Sequence, residues 1–238
     1  MIMSTPFIYR IGGTGTAFSQ SEQDNNMFAV YDNLSAYGFT LEAVCGAIGC
    51  FHEESAMNPG IYETSHGGNL NNLPYFPGGM GLAQWTDYPA YSGTYPNPLP
   101  WSADRENKDW WDGEFQCWLC NKADDATYTA MGYGQGPRWG WQESQQYYPN
   151  DSIGFNAYKS ATQSLTKMTR YWFFCFEWHY TEASAIQSLG ANCITDRISW
   201  AEYAYQLLSG HTPQPPTPSG SSKKMPLWFY LKQPYRRM

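Results

Sequence analysis

The sequence is short of charge: Asp, Glu, Lys and Arg make up only 15% of its 238 residues, and histidine adds four. It has no run of about 18 apolar residues, so no segment reads as a membrane-spanning helix. The opening stretch MIMSTPFIYRIGGTGTAFSQ lacks an apolar core of the signal-peptide kind. Action outside the producing cell would therefore need another route of delivery. Basic residues are scarce along most of the chain. Lys223, Lys224, Lys232, Arg236 and Arg237 stand together in residues 223–238, which hold no acid. Taking those five charges from the net −7 leaves −12 on residues 1–222. An acidic body argues against nucleic acid as the main partner.

Aromatic surface is abundant instead, with 11 Trp, 19 Tyr and 12 Phe. Tyr and Trp pair a large apolar face with a polar tip, which suits both a core and a cleft that stacks against a ligand. A hydrophobic content of 42% supports one domain of ordinary size with appendages. The six cysteines permit disulfides without showing any. In a chain with no secretion signal, buried free thiols are the expectation. Cys117, Cys120, Cys175 and His179 have the residue types of a zinc site. However, Cys117 and Cys120 fall three apart in the apolar stretch FQCWLC, a spacing that core packing explains. No metal and no cofactor is expected.

The periodicity predicts a mainly α chain. Residues 1–24 are polar and weakly periodic and read as an N-terminal arm. Residues 25–38 place Met27, Val30, Tyr31 and Leu34 on one helical face. Residues 40–54 form the clearest helix, with Thr40 as N-cap, Glu42 in the first turn and an apolar stripe of Leu41, Val44, Cys45, Ile48 and Phe51. Gly46 and Gly49 each cost this helix about 1 kcal/mol of propensity, which points to close approach of another backbone. Asn58-Pro59-Gly60 ends it. Residues 60–105 are loop-like, a length that marks a functional segment or short hidden elements. Residues 106–131 look helical, 132–155 form an aromatic loop, 156–189 give one or two helices, and 194–209 give a last amphipathic helix closed by Gly210. Residues 211–222 are a Pro/Ser/Gly linker, and 223–238 a basic, aromatic tail.

One constellation carries chemistry. Glu54-Ser55 is followed by Asn58-Pro59 and then by GGMGLAQW, with Gly81 and Gln84. Acid-catalysed cleavage of a glycoside needs a carboxylic acid whose pKa is raised by a partly dry setting. Glu54 stands where an amphipathic helix ends and an aromatic loop begins, with Phe51 and Met57 near in sequence. Glu53 is its rival, but successive helical residues point about 100° apart, so one of the two faces a cleft. His52, beside them, reads as a helix-surface neighbour.

The text G-A-I-G-C-F-H-E-E-S-A-M-N-P-G-I-Y-E followed by G-G-M-G-L-A-Q-W-T resembles the phage tail lysozyme family. That family is related to goose-type lysozymes and lytic transglycosylases. The resemblance covers residues 25–210, with its specific motifs in 46–87. It departs from the family pattern at Cys50, where an Asn is usual, and at Tyr62, where a Trp is usual. The resemblance implies a lysozyme-like helical domain with long aromatic loops and at most a small β-hairpin. It implies peptidoglycan as substrate and Glu54 as general acid. Gln84 would stand opposite the acid, with Gly81 allowing a tight backbone and Ser55 bonding within the site or capping the helix. Glu63 and Asp87 are the candidates for a second carboxylate, and Tyr88 is counted among the substrate-binding residues. A lytic transglycosylase would need no second carboxylate, so the product would be either a reducing or a 1,6-anhydro sugar.

The resemblance further implies a virion setting, a phage tail acting on the bacterial wall, with residues 223–238 as a docking segment for other tail proteins. Two other readings stay open. One is a lysozyme-like tail component that binds glycan without cleaving it. The other is a cysteine endopeptidase using Cys45 or Cys50 with His179; their mid-helix or late positions disfavour it, because a nucleophilic cysteine prefers a helix N-terminus.

Overall fold

A computed structural model describes residues 4–13, 16–65, 70–73, 75–86, 96–129, 139–143 and 148–214. The described residues form a mainly α domain built around one helix. Helix α1 spans Gln20–Ala36 and α2 spans Leu41–Ser55. In α2 every residue from Ala43 to Phe51 is buried. A helix apolar all round has to be surrounded, and α2 is: α1, α7 (Leu165–Trp172) and α9 (Cys193–Leu208) pack against it.

The two glycines of α2 explain how closely. A Cβ on Gly46 would lie 2.7 Å from the Met168 backbone, in α7, and a Cβ on Gly49 would lie 2.2 Å from the Arg197 carbonyl oxygen, in α9. Each glycine thus admits one neighbouring helix at backbone contact, as the sequence predicts. Thr40 caps α2, its Oγ1 accepting from the Ala43 amide at 3.2 Å.

Several boundaries differ from expectation. Helix α1 starts at Gln20, inside the stretch read as an arm. Glu22 accepts from the Ser19 amide (2.8 Å) and hydroxyl (2.9 Å), so a Ser-x-x-Glu cap outweighs weak periodicity. The long loop of 60–105 does hold elements: strand β2 (Ile61–Tyr62), a 3₁₀ turn (Leu70–Asn72) and helix α3 (Pro98–Arg105). Asn97 caps α3 by accepting from the Leu99 amide at 3.0 Å, and Pro98 fixes the first helical φ. The segment 106–131 is not one helix but α4 (Gly113–Cys120) and α5 (Ala126–Thr129) joined by turns. Residues 156–189 resolve into α6 (Phe155–Ser160), α7 with a π-helical continuation Phe173–Trp178, and α8 (Glu182–Leu189).

The β structure is slight. Strand β1 (Gly12–Gly13) pairs in parallel with β2, and single antiparallel bridges join Tyr62 to Met80 and Met80 to Trp85. The last closes a minimal hairpin whose turn is residues 81–84. Residues 4–13 run as a strap. Asn26, fully buried, accepts from the Ile8 amide and donates to the carbonyls of Ile8 and Met57. Asp32, also fully buried, accepts from the Thr5 amide, the Gln214 amide and His211 Nε2. Residues 211–214 are therefore held against α1, and the rest of the linker and the basic tail lie outside the described residues. No helix among the described residues is long and apolar enough to cross a membrane.

Candidate active site

Helix α2 ends abruptly. Ala56 and Met57 both take left-handed backbone (φ 47° and 63°), and the buried Asn58 fixes the reversal. Its Oδ1 accepts from the amides of Gly60 and Arg10, and its Nδ2 donates to the Arg10 carbonyl at 2.9 Å. The chain then enters β2, to which the hairpin is bridged. The Gly81–Gln84 turn thereby comes to stand across from the end of α2.

Between them lies a cleft of about 260 Å³, lined by Glu54, Gln84, Trp85, Trp139, Glu177 and Trp178, among others. The Glu54 side chain is 27% exposed there. Burial pushes its carboxyl pKa up, Arg197 pulls it back, and the net shift is upward. Glu53 points elsewhere. It pairs with His52 at 3.8 Å, which holds its carboxyl below the usual range. His52 stacks on Trp200 at 3.4 Å. The two adjacent glutamates thus differ in setting although similarly exposed: His52 holds the Glu53 carboxyl down, and desolvation at the cleft holds the Glu54 carboxyl up.

Gln84 faces the same cleft, held by its own turn: Nε2 donates to the Gly81 carbonyl at 2.9 Å, and the residue adopts φ 47°. Gly81 has φ 75°, and a Cβ there would meet Leu99 at 2.6 Å and Gln116 at 2.7 Å. Gln116 is the brace beneath, accepting from the Leu82 amide and donating to the carbonyls of Pro59 and Trp110. Ser55 is buried, and its hydroxyl donates to the Phe51 carbonyl at 2.7 Å, inside the helix and away from the cleft. Glu63 accepts from the Gly79 amide at 3.2 Å and from the Ser65 hydroxyl, and its charge acts on Glu54. Asp87 and Tyr88 lie outside the described residues.

All six cysteines are buried and unpaired. Burial pushes the thiols of Cys45 and Cys50 up, so neither is a ready thiolate. His179 does line the cleft, but its Nε2 is 2.9 Å from the Cys175 carbonyl, and burial lowers its pKa. Among the described residues no group of three His, Cys, Asp or Glu is placed to hold a metal ion.

A family profile described as phage tail lysozyme matches residues 25–208. The chain belongs to the phage tail lysozyme family. Morphogenesis protein 1 of Bacillus phage B103 is 34% identical over 73 residues, which is 31% of this chain. The aligned stretch is 18% of that protein's length, so the chain matches under a fifth of the relative.

The cleft holds two further residues that sequence reasoning missed. Arg197, 4% exposed, donates from Nη2 to Glu54 Oε1 and from Nη1 to the Cys193 carbonyl, with its guanidinium 4.6 Å above the Phe173 ring. Glu177, 7% exposed, stands in the π-helical turn with Oε2 3.7 Å from Arg197 Nε. Burial, then the negative charge of Glu54, push the Glu177 carboxyl up to about 8. Both had a signal. Arg197 falls on the buried stripe of α9 with Cys193, Ile194, Ala201 and Ala204, where a charge needs a partner. Glu177 is the one acid in RYWFFCFEWHY.

Proposed function

We propose that this protein cleaves the glycan strand of peptidoglycan, with Glu54 as general acid. The observation that carries the reading is the placement of Glu54: a carboxyl with a raised pKa at one side of a cleft, with Gln84 opposite and Trp85, Trp139 and Trp178 among its walls. A carboxylic acid in such a setting keeps its proton for the leaving oxygen of the scissile bond, while indole faces suit the apolar faces of sugar rings. Gln84 supplies an amide to hold a substrate acetamido group or to orient the acid. Glu63 is within electrostatic reach of Glu54, as are Glu53 and Glu177. The family supports a phage setting, and we place the protein in the virion tail, where it opens the bacterial wall locally during infection. Residues 223–238 then serve as a cationic segment for docking on other tail proteins.

One observation favours a second reading. The Arg197 pair draws Glu54 toward its ionised form, as in a module that binds glycan without cutting it. Glu54→Gln separates the two. Wild-type protein should clear purified peptidoglycan and the variant should lose at least about 10²-fold in rate, with binding to the insoluble wall retained. Clearing by the variant refutes Glu54 as the acid, and binding without clearing by the wild type establishes the second reading. Mass spectrometry of the digest reports whether the new end is a reducing or a 1,6-anhydro sugar.

A further inference from the structure

Two glutamates share one guanidinium. Arg197 contacts Glu54 through Nη2 and faces Glu177 across 3.7 Å through Nε. Both residues line the same cleft, with the Glu177 carboxyl oxygens buried beneath its surface. Among the described residues no donor meets hydrogen-bond geometry at either Glu177 oxygen and Arg197 Nε donates none, while Trp172 and Cys50 lie near enough to pull the Glu177 carboxyl partly down. Two carboxylates and one cation in a buried site carry a net −1. One bound proton brings the trio to neutrality, and like charges that near titrate as a pair rather than singly.

We propose that Glu177 is a positioning residue for Glu54: by sharing Arg197 with it, Glu177 keeps one proton on the pair at neutral pH, so that Glu54 has a proton to give. The inference rests on the reading of Glu54 as general acid. Were position 177 neutral, Glu54 would face the whole charge of Arg197 and lose its proton early. With Glu177 able to ionise, the cation is compensated whenever the proton sits on Glu54. Glu54 then delivers that proton to the leaving oxygen and is left as the carboxylate.

The neighbours leave the pair to itself. Cys50 from α2, Cys120 from α4 and Tyr158 from α6 face Glu177, and burial pushes all three well up, so they stay neutral. His179, two residues further along the chain, has its pKa lowered by burial. Around Glu54 the charged groups are Glu53, Glu63 and Arg197.

The test is Glu177→Gln, which keeps the shape and removes the ionisation, with Glu177→Asp as the conservative rescue. Both variants are first checked for wild-type circular dichroism. In the pH profile of kcat/KM on purified peptidoglycan, the alkaline limb of Glu177→Gln should move down by at least about one pH unit. Above both limbs its rate then falls about tenfold below wild type. Glu177→Asp should restore part of the shift. Superimposable limbs overturn the proposal. A second readout needs no catalysis. In protein labelled with ¹³C at glutamate side chains, one carboxyl should titrate near 8 in wild type, vanish in Glu177→Gln and move down in Glu54→Gln. An unmoved signal in Glu54→Gln overturns the coupling. A wild type that does not cleave would refute the acid role of Glu54, while this titration still decides whether the pair exists.

Discussion

Replacing Gly49 by Ala sets two known effects against each other at the contact between α2 and α9. In an isolated helix Ala is better than Gly by about 1 kcal/mol. Here the new Cβ would sit 2.2 Å from the Arg197 carbonyl oxygen and 3.1 Å from Ala201 Cβ. Real Cβ atoms do not come closer than 3.0 Å, so α9 would retreat by at least the 0.8 Å that separates 2.2 from 3.0. The obstacle is helix backbone, which cannot rotate aside as a side chain does. Overpacking costs about 1–3 kcal/mol, and against helix backbone that must itself move the upper part of that range, about 2–3 kcal/mol, applies. After the propensity gain, the net loss is about 1–2 kcal/mol, a fall in Tm of about 2–8 °C for a domain of this size. Activity should suffer more than stability. The displaced residue holds Glu54, and a shift on the order of 1 Å at a reacting group can cost about 10²-fold. Thermal denaturation followed by circular dichroism, with wall clearing measured well below Tm, checks both. A variant as stable as wild type, or more so, would refute the reading of Gly49 as a contact glycine.

Other perturbations test other parts of the molecule. Gln84→Gly removes the left-handed strain and adds backbone freedom to the unfolded chain. These effects are about 1 kcal/mol each and oppose one another, so Tm should hold within about 2 °C while clearing falls by about 10²-fold. Asp32→Asn probes the hub of the strap. Burial alone would raise the Asp32 carboxyl, but the Thr5 and Gln214 amides and His211 overcome it and hold it below the usual range. A folded value below the unfolded one contributes stability above about pH 4 and loses it as the pH falls through the folded value. The variant should thus lose about 1–3 kcal/mol at pH 7 in urea unfolding, and the difference from wild type should shrink in acid. Faster hydrogen exchange at the Thr5 and Gln214 amides would accompany it. Finally, a thiol reagent should modify none of the six cysteines rapidly in the native protein and all six in denaturant.

The framework of α2 was legible because local and long-range signals agree there. Thr40 caps it, the apolar residues run round it, and two glycines announce its neighbours. Glu54 was legible for a related reason, since the helix ends where the loop chemistry begins. Helix α1 was misplaced because the Ser19–Glu22 cap acts over four residues, below the reach of hydrophobic periodicity. Helix α3 was missed although Asn97-Pro98 is a start signal, because the aromatic loop around it masks any stripe. Glu177 was hidden by its surroundings. In RYWFFCFEWHY every helical face is apolar, so no period selects one, and the π-helical turn shifts the register beyond what a 3.6 repeat foresees. The ion pair of Arg197 with Glu54 joins residues 143 positions apart, a proximity only the packing of α9 on Gly49 creates.

The strap on Asp32 has a consequence for rearranging the chain. The Thr5 amide at 2.8 Å and the Gln214 amide at 2.9 Å bond to the two oxygens of one carboxyl. Backbone from both ends of the described fold therefore passes within a side chain's width of the same atom. A bridge of about three residues could join position 214 to position 4. New termini could then be opened at an exposed turn such as the one around Gly190, which carries φ 100° with nothing within 4 Å of a notional Cβ. Such a circular permutant would keep the helices around α2 in their present contacts while relocating the points of attachment to the rim near α8.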